Sequence, residues 1–221
     1  MSDRADPRYV PAAGRAWLTG LYDPVMALTM RERAFRSALI DAALLSDPRP
    51  RRVLDLGCGT GTLTRLLAEA DPSLEIVGID GDEEVLARAR RRTASYGERV
   101  RFHRGMADEL PIEDRSQDVV IASLLLHHLS PATKLHALEE AHRVLRDGGR
   151  LLVADWGRPH DAPMRLAFLT LQLLDGFQNT RDHAAGRLPS LIGQAGFKAV
   201  EVRQRWRTAW GSLELISGQA G

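Results

Sequence analysis

At 221 residues the chain is long enough to bury a large core and reads most simply as one domain. Its 30 basic and 29 acidic residues nearly cancel, which removes the bulk electrostatic case for a nucleic-acid or anionic-membrane partner. The lone cysteine, Cys58, excludes an internal disulfide and a multi-thiolate metal site made by this chain alone, and fits a reducing, cytoplasmic compartment.

The opening MSDRADPRYV lacks the apolar core of a signal peptide, and no later apolar run is long enough to span a membrane. Residues 1–13, polar with Pro7 and Pro11, read as a loose N-terminus. From Trp17 to Leu45 the pattern turns helical, with Leu28, Phe35, Leu39, Ala42 and Leu45 near three- and four-residue spacing. Pro24 breaks or kinks it early, and Asp47-Pro-Arg-Pro50 ends it.

From there strands alternate with helices. Strands are expected at 52–56, 75–79, 99–103, 118–122 (running on towards His127) and 150–155. Helices fall between them at 61–70, 82–95 and 131–145, and Asp147-Gly-Gly149 reads as a sharp turn into the fifth strand. A helix at 162–177, a polar loop through Asn179, Arg181 and Gly186, and a short helix at 187–195 follow. Residues 196–203 and 208–216 look like a closing pair of strands. The alternation predicts an α/β fold: one Rossmann-like, doubly wound sheet of seven strands, mostly parallel, with an antiparallel C-terminal strand. In such sheets ligands sit beyond the carboxyl ends of the strands, where the strand order reverses.

The segment Val53-Leu-Asp-Leu-Gly-Cys-Gly-Thr-Gly-Thr-Leu-Thr64 lies at such an end. An apolar strand carrying Asp55 breaks into Gly57, Gly59 and Gly61, and a helical stretch follows at once. Glycine lets backbone pass close to a bulky ligand, because it has no Cβ and tolerates positive φ. The spacing is Asp-x-Gly-x-Gly-x-Gly, not the Gly-x-Gly-x-x-Gly that binds dinucleotides. A pyrophosphate wants bare amides; an upstream carboxylate suits a cationic ligand. Asp80 ends the second strand, where an acid either accepts the two hydroxyls of a ribose or caps the helix that follows.

Val53 to Thr64, Gly78-Ile-Asp80, Leu110-Pro111 before Asp118-Val-Val, and Arg143 to Val153 together resemble the class I S-adenosylmethionine-dependent methyltransferases. The likeness is greatest to the small-molecule branch that includes the ubiquinone/menaquinone-biosynthesis C-methyltransferases, and it covers roughly residues 50–155. It implies that Asp55, Gly57, Cys58, Gly59 and Gly61 surround the methionine part of S-adenosylmethionine. Asp80 would take the ribose hydroxyls, Gly81 and Asp82 would sit near the adenosine, and Ser123 and Leu124 would line the sulfonium end. Where the family has Gly-Asp-Ala before Leu-Pro, this chain reads Gly105-Met106-Ala107-Asp108, so Met106 holds the usual adenine-binding acid position. Either Asp108 substitutes from two residues on, or backbone amides read adenine while Met106 packs on the ring.

The domain of residues 14–221 reads as a helical lid (14–47), a cofactor-binding core (50–155), substrate-side helices (156–195) and closing strands (196–217). The expected reaction is transfer of a methyl group from S-adenosylmethionine, leaving S-adenosylhomocysteine, to a small, partly apolar acceptor. It would proceed mainly by positioning. His127 or His128 is the candidate base, the alternative being an imidazole packed on the next helix; on an extended segment at most one of the two faces the substrate. Asp155 is either a substrate contact or a turn-forming carboxylate, and His160 and the stretch Asp175 to His183 are placed near the same cleft. Trp17, Tyr22, Met26, Phe168 and Phe177 form either an apolar lid or plain core.

No metal site is expected, since the residues after His128 offer no cluster of acids, and one cysteine excludes multi-thiolate arsenic chemistry. Trp206 and Trp210 among Arg203, Arg205 and Arg207 read as an edge strand with outward charges and not as a nucleic-acid patch. No membrane insertion is expected, and the apolar leading helix is a surface on which a homodimer would form. A nicotinamide-dependent oxidoreductase on a similar sheet, or a cofactor-binding protein without turnover, are the competing readings.

Overall fold

The computed structural model describes residues 32–45 and 48–221. Expectations that fall before Glu32, among them the loose N-terminus, the kink at Pro24 and the lid residues Trp17, Tyr22 and Met26, lie outside the described residues. The chain runs α1 (Glu32–Leu44), β1 (Arg52–Leu56), α2 (Thr62–Ala70), β2 (Glu75–Asp80), α3 (Glu83–Thr93) and β3 (Val100–Arg104). It continues through β4 (Gln117–Ser123), a 3₁₀ turn (Leu126–His128), α4 (Pro131–Val144) and β5 (Leu145–Trp156). Helices α5 (Ala162–Asp175), α6 (Phe177–Ala184) and α7 (Leu188–Gln194) precede the hairpin of β6 (Lys198–Thr208) and β7 (Gly211–Gln219).

The seven strands form one sheet in the order β3-β2-β1-β4-β5-β7-β6, with β7 antiparallel to both its neighbours and every other pairing parallel. The expected doubly wound, mostly parallel sheet is therefore present. Its strands are apolar on both faces because helices cover both. Val53, Val119, Ile121 and Leu152 pack on one side with Phe35, Leu39, Leu67 and Phe168. Their neighbours Leu54, Val120, Ala122 and Val153 pack on the other with Leu138, Val144 and Ile192, as the two-residue alternation of a strand requires. The strand order turns at β1 and β4, and the site lies at the carboxyl ends of those strands.

Three local readings need correction. Asp147-Gly-Gly149 is not a turn before β5 but a bulge within it: Gly148 has φ +75° and the register with β4 shifts between Gln117 and Val119. The extended run after β4 does not persist, since Leu126–His128 closes into a 3₁₀ turn. The polar loop through Asn179 and Arg181 is helix α6, whose buried residues are Thr180, Asp182 and His183. A helix with a polar underside carries no apolar period to read.

The edge-strand reading of 202–206 is correct, since β6 closes the sheet. Trp206 is buried, while Arg205 pairs with Glu214 across the hairpin at 2.8 Å. Of the leading helix, the described part is core, with Phe35, Leu39 and Ala43 wholly buried.

Candidate functional site

Beyond β1 the backbone turns through three left-handed glycines, Gly57 (φ +70°), Gly59 (+54°) and Gly61 (+73°). Each is glycine for its own reason. A Cβ on Gly57 would lie 2.8 Å from Leu125 Cδ1, and one on Gly61 would lie 2.9 Å from Ala89 Cβ. A Cβ on Gly59 would meet nothing within 4 Å. That residue therefore presents bare backbone to open space. The loop is tied down by Asp80: the Gly59 N–H donates to Asp80 Oδ2 at 2.9 Å, and the Asp82 N–H donates to Asp80 Oδ1 at 3.0 Å. The cap of α3 is Asp82, which accepts from Glu84 and Val85 N–H, so Asp80 is not the helix cap. Burial pushes the Asp80 carboxyl above its usual range.

Loop, strand end and turn enclose a cavity of about 450 Å³. It is lined by Gly57, Gly59, Asp80, Gly81, Met106 and Ala107 from the cofactor-side strands and loops, and by Leu124, Leu125, His128, Leu129, Thr133 and Asn179, with Leu125 against Gly57. Leu124 holds φ +54°, a strained conformation for a leucine, and its N–H is fixed to Ala154 O at 2.8 Å.

Several expected residues are not among those that line this cavity. Cys58 is buried beneath the loop and its thiol is pushed up by burial. Gly61, Asp82, Asp108 and Ser123 do not line the cavity, although Asp108 Oδ1 is buried without a partner. Met106, by contrast, does line it. Phe168 is core, while Phe177 and His160 lie on a separate groove with Arg158, Arg165 and Arg181. Asn179 falls within the stretch Asp175 to His183 expected near this cleft, whereas Leu125, Leu129 and Thr133 are wall residues that the sequence reading does not single out. Ser130 also lines the cavity and caps α4 before Pro131, a signal readable in the sequence.

Asp55 is 1% exposed and accepts a hydrogen bond from Thr64 Oγ1 at 2.5 Å. It too lies behind the loop. Burial, opposed by the Thr64 bond, raises its pKa to about 6. A carboxyl whose folded pKa lies above its unfolded value stabilises the fold at low pH and loses that contribution as pH climbs through the folded value. Asp55→Asn is therefore expected to stabilise the ligand-free protein by about 2–3 kcal/mol near neutral pH and by almost nothing near pH 4. Chemical denaturation at both pH values measures it. Equal stabilisation at the two would show that ionisation of Asp55 is not the cause.

Asp155 is wholly buried at the end of β5 and is not among the residues that line the cavity. Its carboxylate accepts from Leu126 N–H (2.8 Å), His127 N–H (3.3 Å), His127 Nδ1 (2.7 Å) and Trp156 N–H (2.7 Å). His183 Nε2 lies 3.7 Å away, a charge neighbour too distant for a hydrogen bond. Burial alone would push Asp155 up, but His127 and His183 outweigh it and hold the carboxyl well below its usual value. His127 is thus a buried partner of Asp155, and His128 is the histidine on the cavity wall. Burial and the adjacent His127 press the His128 pKa down to about 3.

An open α/β sheet with a glycine loop, a strand-end acid and a cavity at the strand-order reversal has the layout in which such sheets take a nucleotide-type ligand. The open space over Gly59, together with Asp80 beneath it, fits S-adenosylmethionine. Residues 53–149 match the sequence model of a methyltransferase domain family. The chain is 37% identical over 134 residues to a demethylmenaquinone methyltransferase of Thermus thermophilus, covering 61% of this chain and 59% of that one. It is 30% identical over 174 residues to an uncharacterized methyltransferase of Synechocystis, covering 77% of this chain and 76% of that one.

In fold it resembles a crystal structure of an S-adenosylmethionine-dependent methyltransferase from Thermotoga maritima, with a TM-score of 0.70 at 23% identity, covering 93% of this chain and 97% of that one. The chain belongs to the class I S-adenosylmethionine-dependent methyltransferases. That membership sets aside the nicotinamide reading. The chain spans 43% and 59% of the lengths of two of the curated relatives it matches. Among the described residues no helix is long and apolar enough to cross a membrane.

Proposed function

We propose that this protein moves the methyl group of S-adenosylmethionine onto a small, partly apolar acceptor, and that it does so mainly by positioning. The observation that carries this reading is one cavity running from the glycine loop and Asp80 to an end walled by Leu124, Leu125 and Leu129. The bound cofactor supplies an electrophilic methyl carbon on a sulfonium. Gly57 and Gly59 give it room, Asp80 accepts its ribose hydroxyls, and Met106 and Ala107 pack at the adenine end. Asp55 acts from behind the loop as a fixed negative charge on the side of the cationic group.

At the acceptor end the leucines exclude water, while His128, Ser130, Thr133 and Asn179 offer hydrogen bonds that orient a hydroxyl or ring. His128, with a pKa of about 3, is neutral at physiological pH and a weak proton acceptor. Its part is to hold the nucleophile in line, and near-attack positioning of this kind supplies several kcal/mol.

Transfer of labelled methyl to 1-naphthol, to reduced 1,4-naphthoquinone and, as a polar control, to glycine tests the reading. The aromatic acceptors are expected to be labelled and glycine not. Exclusive labelling of glycine would overturn the apolar acceptor. His128→Gln, which keeps a hydrogen-bonding side chain, is expected to retain turnover within ~10-fold, whereas a general base contributes ~10²–10⁴-fold. A loss in the latter range would make His128 the base after all.

A further inference from the structure

All but two of the 30 basic residues are arginine, and one of the two lysines, Lys134, is wholly buried. Its Nζ donates to Asn179 O at 2.9 Å and approaches Asp182 Oδ2 at 3.4 Å, both on α6. Asn179 in turn donates from Nδ2 to His128 O at 3.1 Å. The residue before Lys134, Thr133, lines the cavity, as do Asn179 and His128. The ammonium on the first turns of α4 thus ties α4 to α6, and the Asn179 side chain carries the link on to the 3₁₀ turn.

Helix α6 needs such a tie. Its buried residues are Thr180, Asp182 and His183, so it docks through polar satisfaction and not through an apolar stripe. Its other face, with Phe177 and Arg181, borders the open groove. A Lys ammonium is a compact, strongly hydrated point charge, so enclosing it requires acceptors that replace its water, here Asn179 O and Asp182. Without it Asp182 would stay buried with only Arg187, at 3.9 Å, beside it.

We propose that Lys134 is a positioning residue whose buried ammonium seats α6 over the acceptor end of the cavity, and that the cofactor end does not depend on it. The assignment of that end to the acceptor rests on the reading given under the proposed function. The seating of α6 does not.

Hydrogen exchange on the full chain, with Lys134→Met and separately Asp182→Asn, decides it. Both variants are expected to speed exchange at least ~10-fold in residues 177–184 and in the turn at 126–129, with β1 and β2 unchanged. Calorimetric affinity for S-adenosylhomocysteine should stay within ~3-fold of wild type. With reduced 1,4-naphthoquinone, KM should rise with little change in kcat, a split that a general loss of stability would not produce.

Unaltered exchange at 177–184 in both variants overturns the proposal, as does loosening that spreads to β1 and β2 with parallel loss of S-adenosylhomocysteine binding. If Lys134→Met does not fold, Asp182→Asn carries the same comparison. Failure of the wild-type protein to turn over the naphthoquinol counts against the acceptor reading alone, and the exchange result still stands.

Discussion

Asp80→Ala is expected to weaken S-adenosylhomocysteine binding by at least ~100-fold, about 3 kcal/mol or more. The carboxylate has two tasks. It holds the loop by accepting the N–H groups of Gly59 and Asp82, and it lines the cavity with lone pairs to spare. A ribose diol donating to those lone pairs makes charge-assisted hydrogen bonds, each worth about 1.5–3 kcal/mol. Alanine removes these and frees the loop at once.

Asp80→Asn should fall between, at roughly 10-fold, because one acceptor oxygen survives while the amide NH₂ must face a backbone N–H or a hydroxyl. The ligand-free Ala variant should melt somewhat lower than wild type, since the Gly59 and Asp82 N–H groups lose their acceptor. Calorimetric titration of the three proteins measures this series. Wild-type affinity in the Ala variant would sink the ribose assignment.

The loop and sheet were legible in the sequence for a simple reason. Gly57, Gly59 and Gly61 occupy positive φ, and no other residue does so cheaply, so the backbone requirement is written directly into residue type. The strands were legible because both faces are buried, which forces near-continuous apolar runs such as Val119 to Ala122.

The acceptor end was legible only in part. Helix α6 hides its polar residues inward against Lys134 and Gln172, so its place near the cleft is readable while its helical form and the role of Lys134 are not. For the histidine pair the expected outcome holds, one ring on the cavity and one buried, but for another reason than strand alternation. Adjacent residues on a strand point to opposite faces, but a 3₁₀ turn imposes no such alternation. What fixes that turn is Asp155, 27 residues further on, and no local pattern reports a contact so distant.

That contact sets the second large effect. Asp155→Ala is expected to destabilise the protein by about 3–5 kcal/mol, the usual cost of removing one partner of a buried charged network. The carboxylate accepts three backbone N–H groups and one imidazole N–H. Alanine would remove the acceptor that these donors share, and a buried donor that finds no replacement costs about 1–3 kcal/mol.

Asparagine should recover only part of this. Its single acceptor oxygen can serve either the Leu126 side or the His127 and Trp156 side, while its NH₂ opposes a donor on the other. The loss should also depend on pH. Because the folded pKa of Asp155 is depressed, its contribution is present above the unfolded value of ~4 and disappears as pH falls through the folded value, so wild type and variant should converge in acid.

Through the turn, the same substitution shifts Leu125, which packs where a Cβ on Gly57 would lie, and His128, so both ends of the cavity lose definition. Denaturant titration of Asp155→Ala and Asp155→Asn against wild type, at neutral and acid pH, gives the order directly. An Asn variant as stable as wild type would mean that hydrogen bonding to the backbone, and not the charge facing His127 and His183, holds the turn in place.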